Sequence, residues 1–176
     1  MKSLKTVLNE ALNDTGLSIQ QFVKMCAKCC SGFQKAYFEQ KAKDMDSIDC
    51  VKLDTIFDKS QIKQIKQRVR PKQNECYCNA FHFCTQSGIN DHDIKYVEGY
   101  TTVSGIPIEH AWNKVDDKYI DITFELVLKH DVTKENYVIL GEWDADTALK
   151  YMAKKGTYGG VYEEQFLDKY NEKPTK

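Results

Sequence analysis

The chain of 176 residues is 41% apolar and close to neutral, with 25 basic side chains against 26 acidic ones. That length suits one globular domain with a helical appendage, and a core large enough to need no covalent staples. The charge balance lacks the basic excess of a nucleic-acid binder, and no apolar run reaches the roughly 18–20 residues of a membrane helix. Asn9 and Glu10 stand where an export leader would be apolar. The seven cysteines therefore read as reduced thiols of a cytoplasmic protein, and their odd number leaves at least one unpaired in any compartment.

Residues 1–70 read as a helical region. Leu4, Val7, Leu8, Leu12 and Leu17 trace an amphipathic pattern, broken at Asn13-Asp14-Thr15-Gly16. Ser18 and Gln21 have the spacing of a capping box that opens a second helix through Phe22, Val23 and Met25. A third helix is predicted from Phe33 to Ala42. The stretch from Asp44 to Val51 is polar and ambiguous. A charged helix follows from Ser60 to Arg70, with Ile62, Ile65 and Val69 on one face and Pro71 as its stop. Its charges are all basic, and a solvated face is the preferred reading over a site for an acidic partner.

A different pattern begins at Pro71. Asn74 to Gln86 reads as a short helix with Asn74 as its cap, and Ser87 to Asp91 as a terminator. Three strands are predicted at 94–103, 107–115 and 119–128, the last two joined tightly at Asp116-Asp117. Val138 to Leu140 is a short buried strand. Helices are predicted at 144–154, ending near Gly156, and at 161–170, before a frayed tail at 171–176. The fold class is α+β: N-terminal helices (1–70), then a core (71–170) in which a helix packs on an antiparallel sheet.

Three residues carry the candidate chemistry: Cys76 in the first turn of a helix, His110 on one strand and Asp121 on the next. Unpaired N–H groups at a helix start favour an anion, which suits a sulfur nucleophile. Helical spacing puts Cys76 on a face with Ala80, Phe83 and Cys84, toward apolar packing. Cys78 shares a more polar face with His82, Thr85 and Gln86. A two-residue loop at Asp116-Asp117 pairs Val115 with Lys118, sets Trp112 opposite Asp121 and makes His110 and Asp121 diagonal neighbours. The carboxylate would then fix the imidazole tautomer, and the imidazole would move the thiol proton. His82, His92 and His130 read as surface residues, and Glu98 and Glu109 as exposed strand residues, with Glu109 a candidate groove residue. Trp112 reads as core or pocket wall. Cys26, Cys29 and Cys30 resemble half of a zinc site, but no second ligand pair follows. With Phe22 and Phe33 they form a packed helix face, so no metal is expected.

The order Cys76, His110, Asp121 resembles the transglutaminase-like branch of the papain-like cysteine hydrolases. His110-Ala-Trp112 and Tyr119-Ile-Asp121-Ile-Thr123 are similar to that branch's His-Ala-Trp and Asp-Pro-Thr segments, with Ile122 where proline is usual. Glu75-Cys-Tyr-Cys-Asn-Ala80, Tyr96-Val-Glu-Gly-Tyr100 and Gly105-Ile-Pro-Ile-Glu-His110 look like segments of small bacterial and phage proteins with this core. The resemblance spans about residues 71–160 and leaves out the N-terminal helices. It implies Cys76 as nucleophile, His110 as base and Asp121 as orienting group. Gln73 is a candidate oxyanion donor beside the backbone N–H of Cys76.

The expected activity is acyl transfer from an amide or ester through a thioester on Cys76, as in an amidase or peptidase, with no metal or organic cofactor. The alternatives are a protein-glutamine deamidase or transglutaminase, and an inactive binding module that keeps the fold. Expected partners are a protein, peptide or small amide substrate, and a protein partner for the N-terminal helices. No nucleic acid or membrane is expected.

Overall fold

The computed structural model describes residues 18–46, 51–55, 57–89, 92–103 and 105–172. The expected first helix over Leu4–Leu17 with its break, residues 47–50 of the ambiguous stretch, Asn90 and Asp91 of the terminator, and the tail beyond 172 lie outside them.

Ser18 caps helix α1 (Ile19–Cys29) as the spacing predicts: Gln21 N–H donates to Ser18 Oγ at 3.2 Å, and Ser18 N–H donates to Gln21 Oε1 at 2.8 Å. Helix α2 (Gly32–Met45) extends beyond the expected span. A second capping box, from Asp58 and Gln61, opens α3 (Lys59–Arg68). That helix stops two residues short of the expected end, because Arg70 takes a left-handed conformation with φ 51° ahead of Pro71. Proline disfavours the helical region for the residue before it, so the chain leaves the helix there.

Helix α4 (Cys76–Gln86) starts later than expected. Asn74 is not its cap; it is left-handed at φ 62°, and Glu75 caps the helix without a side-chain hydrogen bond. Cys76 is therefore the first helical residue.

Strands β1 (Ile94–Val103), β2 (Ile106–Val115), β3 (Lys118–Ile120) and β4 (Tyr137–Trp143) form one antiparallel sheet in the order β3-β2-β1-β4. The hairpin register is the expected one, with Val115 opposite Lys118 and Asn113 opposite Ile120. The turn is held by Asp116, which has φ 52°, accepts the Asp93 N–H at 3.0 Å and bonds His92 Nδ1 at 2.6 Å.

The expected third strand is mostly not a strand. β3 ends at Ile120, and Thr123–Leu128 is a π-helical turn closed by Lys129 at φ 54°. Its alternating Ile120, Ile122, Phe124 and Leu126 are all buried, but so is Thr123 between them. Asp121 redirects the chain, because its Oδ1 accepts the N–H groups of Thr123 and Phe124 at 2.9 and 3.0 Å. A side chain that satisfies the first N–H groups of a turn competes with strand pairing.

Helices cover one face of the sheet. There Tyr96, Ala111 and Trp143 pack with Ala80 and Phe81 of α4, and with α5 (Ala145–Lys155) and α6 (Val161–Asn171) through Ala148, Met152 and Val161. Further along this face, Tyr100 and Val138 pack with Ile19 and Val23 of α1 and Ala42 and Met45 of α2. The other face buries Val97, Trp112, Tyr137 and Ile139 against Leu53, Phe124 and Val132. Among the described residues no helix is long and apolar enough to cross a membrane.

Gly99 sits at a register shift between β1 and β4, opposite His110 of β2. A Cβ there would collide with the Val138 carbonyl oxygen and the Trp112 ring. Gly99→Ala is expected to destabilise the fold by about 1–3 kcal/mol through forced backbone displacement. Urea unfolding of both proteins measures it; unchanged stability would mean that this close approach is not needed.

Candidate active site

His110 and Asp121 form the centre of the site. His110 is 2% exposed and Asp121 fully buried. His110 Nε2 and Asp121 Oδ2 lie 2.6 Å apart. The same Oδ2 accepts the Tyr137 hydroxyl at 3.0 Å, while Oδ1 receives the two N–H groups of the π-helical turn. Each carboxylate oxygen thus has two donors, which compensates its removal from water.

The imidazole is walled by rings. Phe124 lies 4.5 Å from it between centroids, and Trp112 stacks at 6.3 Å with a 20° interplanar angle. Trp112 is core rather than exposed wall: it is 1% exposed, and its indole N–H has no partner among the described residues.

After Asp121, the Cys76 thiol is the other side chain that favours the proton on His110. Asp121 holds Nε2, so Nδ1 is the ring atom left for sulfur. The approach is indirect. Ala111, next in β2, faces α4, so His110 points to the opposite face of the sheet. β3 pairs only with residues 113–115 of β2. Among the described residues the edge of β2 at His110 thus has no strand neighbour on the β3 side, and no strand screens the ring there.

Burial disfavours a charged imidazole, but the Asp121 carboxylate, its hydrogen bond and Cys76 outweigh it and lift the His110 pKa to about 10. The buried carboxylate thus favours the protonated form of the ring that it orients.

Asn79, a residue that the sequence did not single out, braces the loop before Cys76. Its side chain accepts the Lys72 N–H at 2.9 Å and donates to the Lys72 carbonyl at 2.7 Å and to Thr123 Oγ1 at 3.1 Å. One amide thereby joins the loop before Cys76 to the turn that Asp121 opens. Gln73 lies exposed in that loop.

One other expectation needs correction: Glu98 is 5% exposed rather than a surface residue. Glu109 is exposed as expected, and binds the fully buried Lys41 of α2 at 2.6 Å. His92 and His130 are exposed as expected and pair with Asp116 and Glu135; His82 is half-buried, 3.0 Å from the Tyr158 hydroxyl and 3.9 Å from Cys78 Sγ. Of the three N-terminal thiols, Cys26 is buried and Cys29 and Cys30 are partly exposed, with Cys30 just past the end of α1. Among the described residues no group of three or more His, Cys, Asp and Glu side chains could hold a metal ion.

No family model, curated protein or solved structure matches the chain.

The raised His110 pKa has a consequence for stability. A histidine whose folded pKa exceeds its unfolded value of about 6.5 stabilises the fold fully below that value, and the contribution is lost as pH rises through the folded pKa. Stability is expected to decline between pH 6.5 and about 10. Asp121→Asn is expected to return the His110 titration toward about 6.5 or lower, because burial is then no longer opposed by the carboxylate charge. Imidazole NMR titration of both proteins measures this. Equal His110 midpoints would show that Asp121 does not hold the proton.

Proposed function

We propose that the chain is a thiol-dependent acyl-transfer enzyme, with a core like that of the transglutaminase-like and papain-like cysteine hydrolases. The observation that carries this reading is the buried His110–Asp121 pair at 2.6 Å, an imidazole, oriented by a carboxylate, whose protonated form Cys76 also favours. A cysteine buried only for packing has no need of an imidazole oriented by a carboxylate with four donors.

In the proposed cycle the proton of the Cys76 thiol already rests on His110 Nδ1, and the freed sulfur attacks the carbonyl carbon of an amide or ester. The sulfur–carbon bond forms as the carbonyl π pair moves onto oxygen. The backbone N–H of Cys76, free at the start of α4, is a donor for that oxyanion. On collapse, the bond to the leaving group breaks, and His110 protonates the departing nitrogen or oxygen. A thioester remains on Cys76. Water or an amine, deprotonated by His110, then attacks the thioester and releases the thiol. Asp121 keeps the ring oriented throughout and offsets its charge.

The test is acylation by p-nitrophenyl acetate, read by peptide mass spectrometry. An acetyl thioester is expected on Cys76 in preference to Cys26 and Cys84, whose thiols burial pushes up to about 11 and about 12. His110→Ala is expected to slow its formation by about 10²-fold or more, the usual size of a lost acid–base partner. Acylation spread evenly over the thiols, or unchanged in His110→Ala, would leave a binding module without this chemistry.

A further inference from the structure

A cavity of about 150 Å³ lies where α2, α4 and the start of α6 meet the helix-covered face of the sheet. Tyr37, Lys41, Tyr77, Glu98, Glu109 and Tyr162 line it, together with Gly159 and Gly160 and the Lys155–Glu163 pair. It adjoins the catalytic trio through its walls. Tyr77 follows Cys76 in α4, Glu109 precedes His110 in β2, and Gly99, also in the lining, is the cross-strand partner of His110. Because neighbours in a strand face opposite ways, Glu109 lies on the face that α4 covers, the side from which the thiol comes. Burial first, then Glu109 and Cys76, push the Tyr77 phenol up, so that thiol, carboxylate and cavity wall interact electrostatically.

The charges in this cavity are already matched, except at one point. The N-terminus of α6, the natural anion site, is filled by Glu98, which accepts the N–H groups of Val161 and Tyr162 at 3.0 and 3.1 Å. Lys155 is bound to Glu163, and Lys41 to Glu109 Oε1, which also accepts the Tyr100 hydroxyl at 2.6 Å. Neither ammonium is left for an incoming anion. Glu109 Oε2 has no hydrogen bond from the described residues, and the Glu109 side chain is 47% exposed. The cavity thus offers a carboxylate oxygen and tyrosine ring faces, the two groups that hold organic cations. Lys41 shows the fit from inside: its ammonium sits over Tyr37 at 4.3 Å and Tyr100 at 5.2 Å, against Glu109.

Resting on the reading of Cys76 as nucleophile, we propose that this cavity receives a cationic group of the substrate. The thiol would then act on amides or esters that carry an alkylammonium near the reacting carbonyl. The volume suits such a group, since it equals about five waters at roughly 30 Å³ each.

Two measurements on the full chain decide the matter. The first follows tyrosine ring signals by NMR during titration with n-butylamine or with n-butyrate at neutral pH. The amine is expected to shift Tyr37 and Tyr77 saturably, and butyrate is not. Glu109→Gln is expected to weaken the amine by about tenfold, the scale of one charge contact at intermediate dielectric. That variant could lose its fold by stranding Lys41, so the wild-type comparison of the two probes stands alone. The second compares modification of Cys76 by neutral methyl, cationic 2-aminoethyl and anionic 2-sulfonatoethyl methanethiosulfonates. The cationic reagent is expected to exceed the anionic one by about tenfold. Equal or inverted preference in either measurement overturns the cation site. Slow reaction with the neutral reagent beside a saturable amine shift would instead reject the activated thiol and leave the cavity as a cation site without the chemistry.

Discussion

The buried contact between His110 and Asp121 is the constraint on which the rest depends. Two ionisable side chains without access to water are tolerated only if their remaining hydrogen-bonding capacity is filled, and here it is. The imidazole and the Tyr137 hydroxyl share one oxygen of Asp121, and the amides of Thr123 and Phe124 share the other. The same carboxylate therefore ends β3, starts the π-helical turn and orients the imidazole. Removing one partner from such a buried pair leaves a charge uncompensated, at a typical cost of about 3–5 kcal/mol. Fold and site cannot be separated at this residue.

The sheet stands between the two halves of the site. α4 packs on one face, His110 projects from the other, and β3 is too short to cover the β2 edge at His110. The shortness of β3 follows from Asp121, which draws the next amides into a turn. Asn79 then fixes the distance across the gap by binding the loop before Cys76 and the turn after Asp121 with one side-chain amide. The thiol, the imidazole and the carboxylate come from three elements, yet the polar contacts that hold them are local to one corner of the sheet.

Much of this was legible in the chain. The Ser18 capping box, the two-residue turn at Asp116 and the resulting strand register are decided by contacts a few residues apart, and the structure has them as read. Misreadings occurred where a side chain competes with the backbone pattern. The alternation from Ile120 to Leu126 has the period of a strand, but the amide bonds made by Asp121 override it. Asn74 looks like a cap and is instead the left-handed residue that turns the chain into α4. Glu98 looked exposed because its partners, the first amides of α6, are distant in sequence. Burial of a carboxylate by partners more than 60 residues away leaves no local signature. The cavity between Glu98 and Glu109 was for the same reason invisible in the sequence.

The central claim concerns one contact, and an experimental structure of the resting protein measures it directly. The expected result is the Cys76 sulfur within hydrogen-bond reach of His110 Nδ1, with Nε2 of the same ring on Asp121. A packed side chain such as Phe124 between sulfur and ring, or a ring turned so that Nδ1 faces the core, would contradict it.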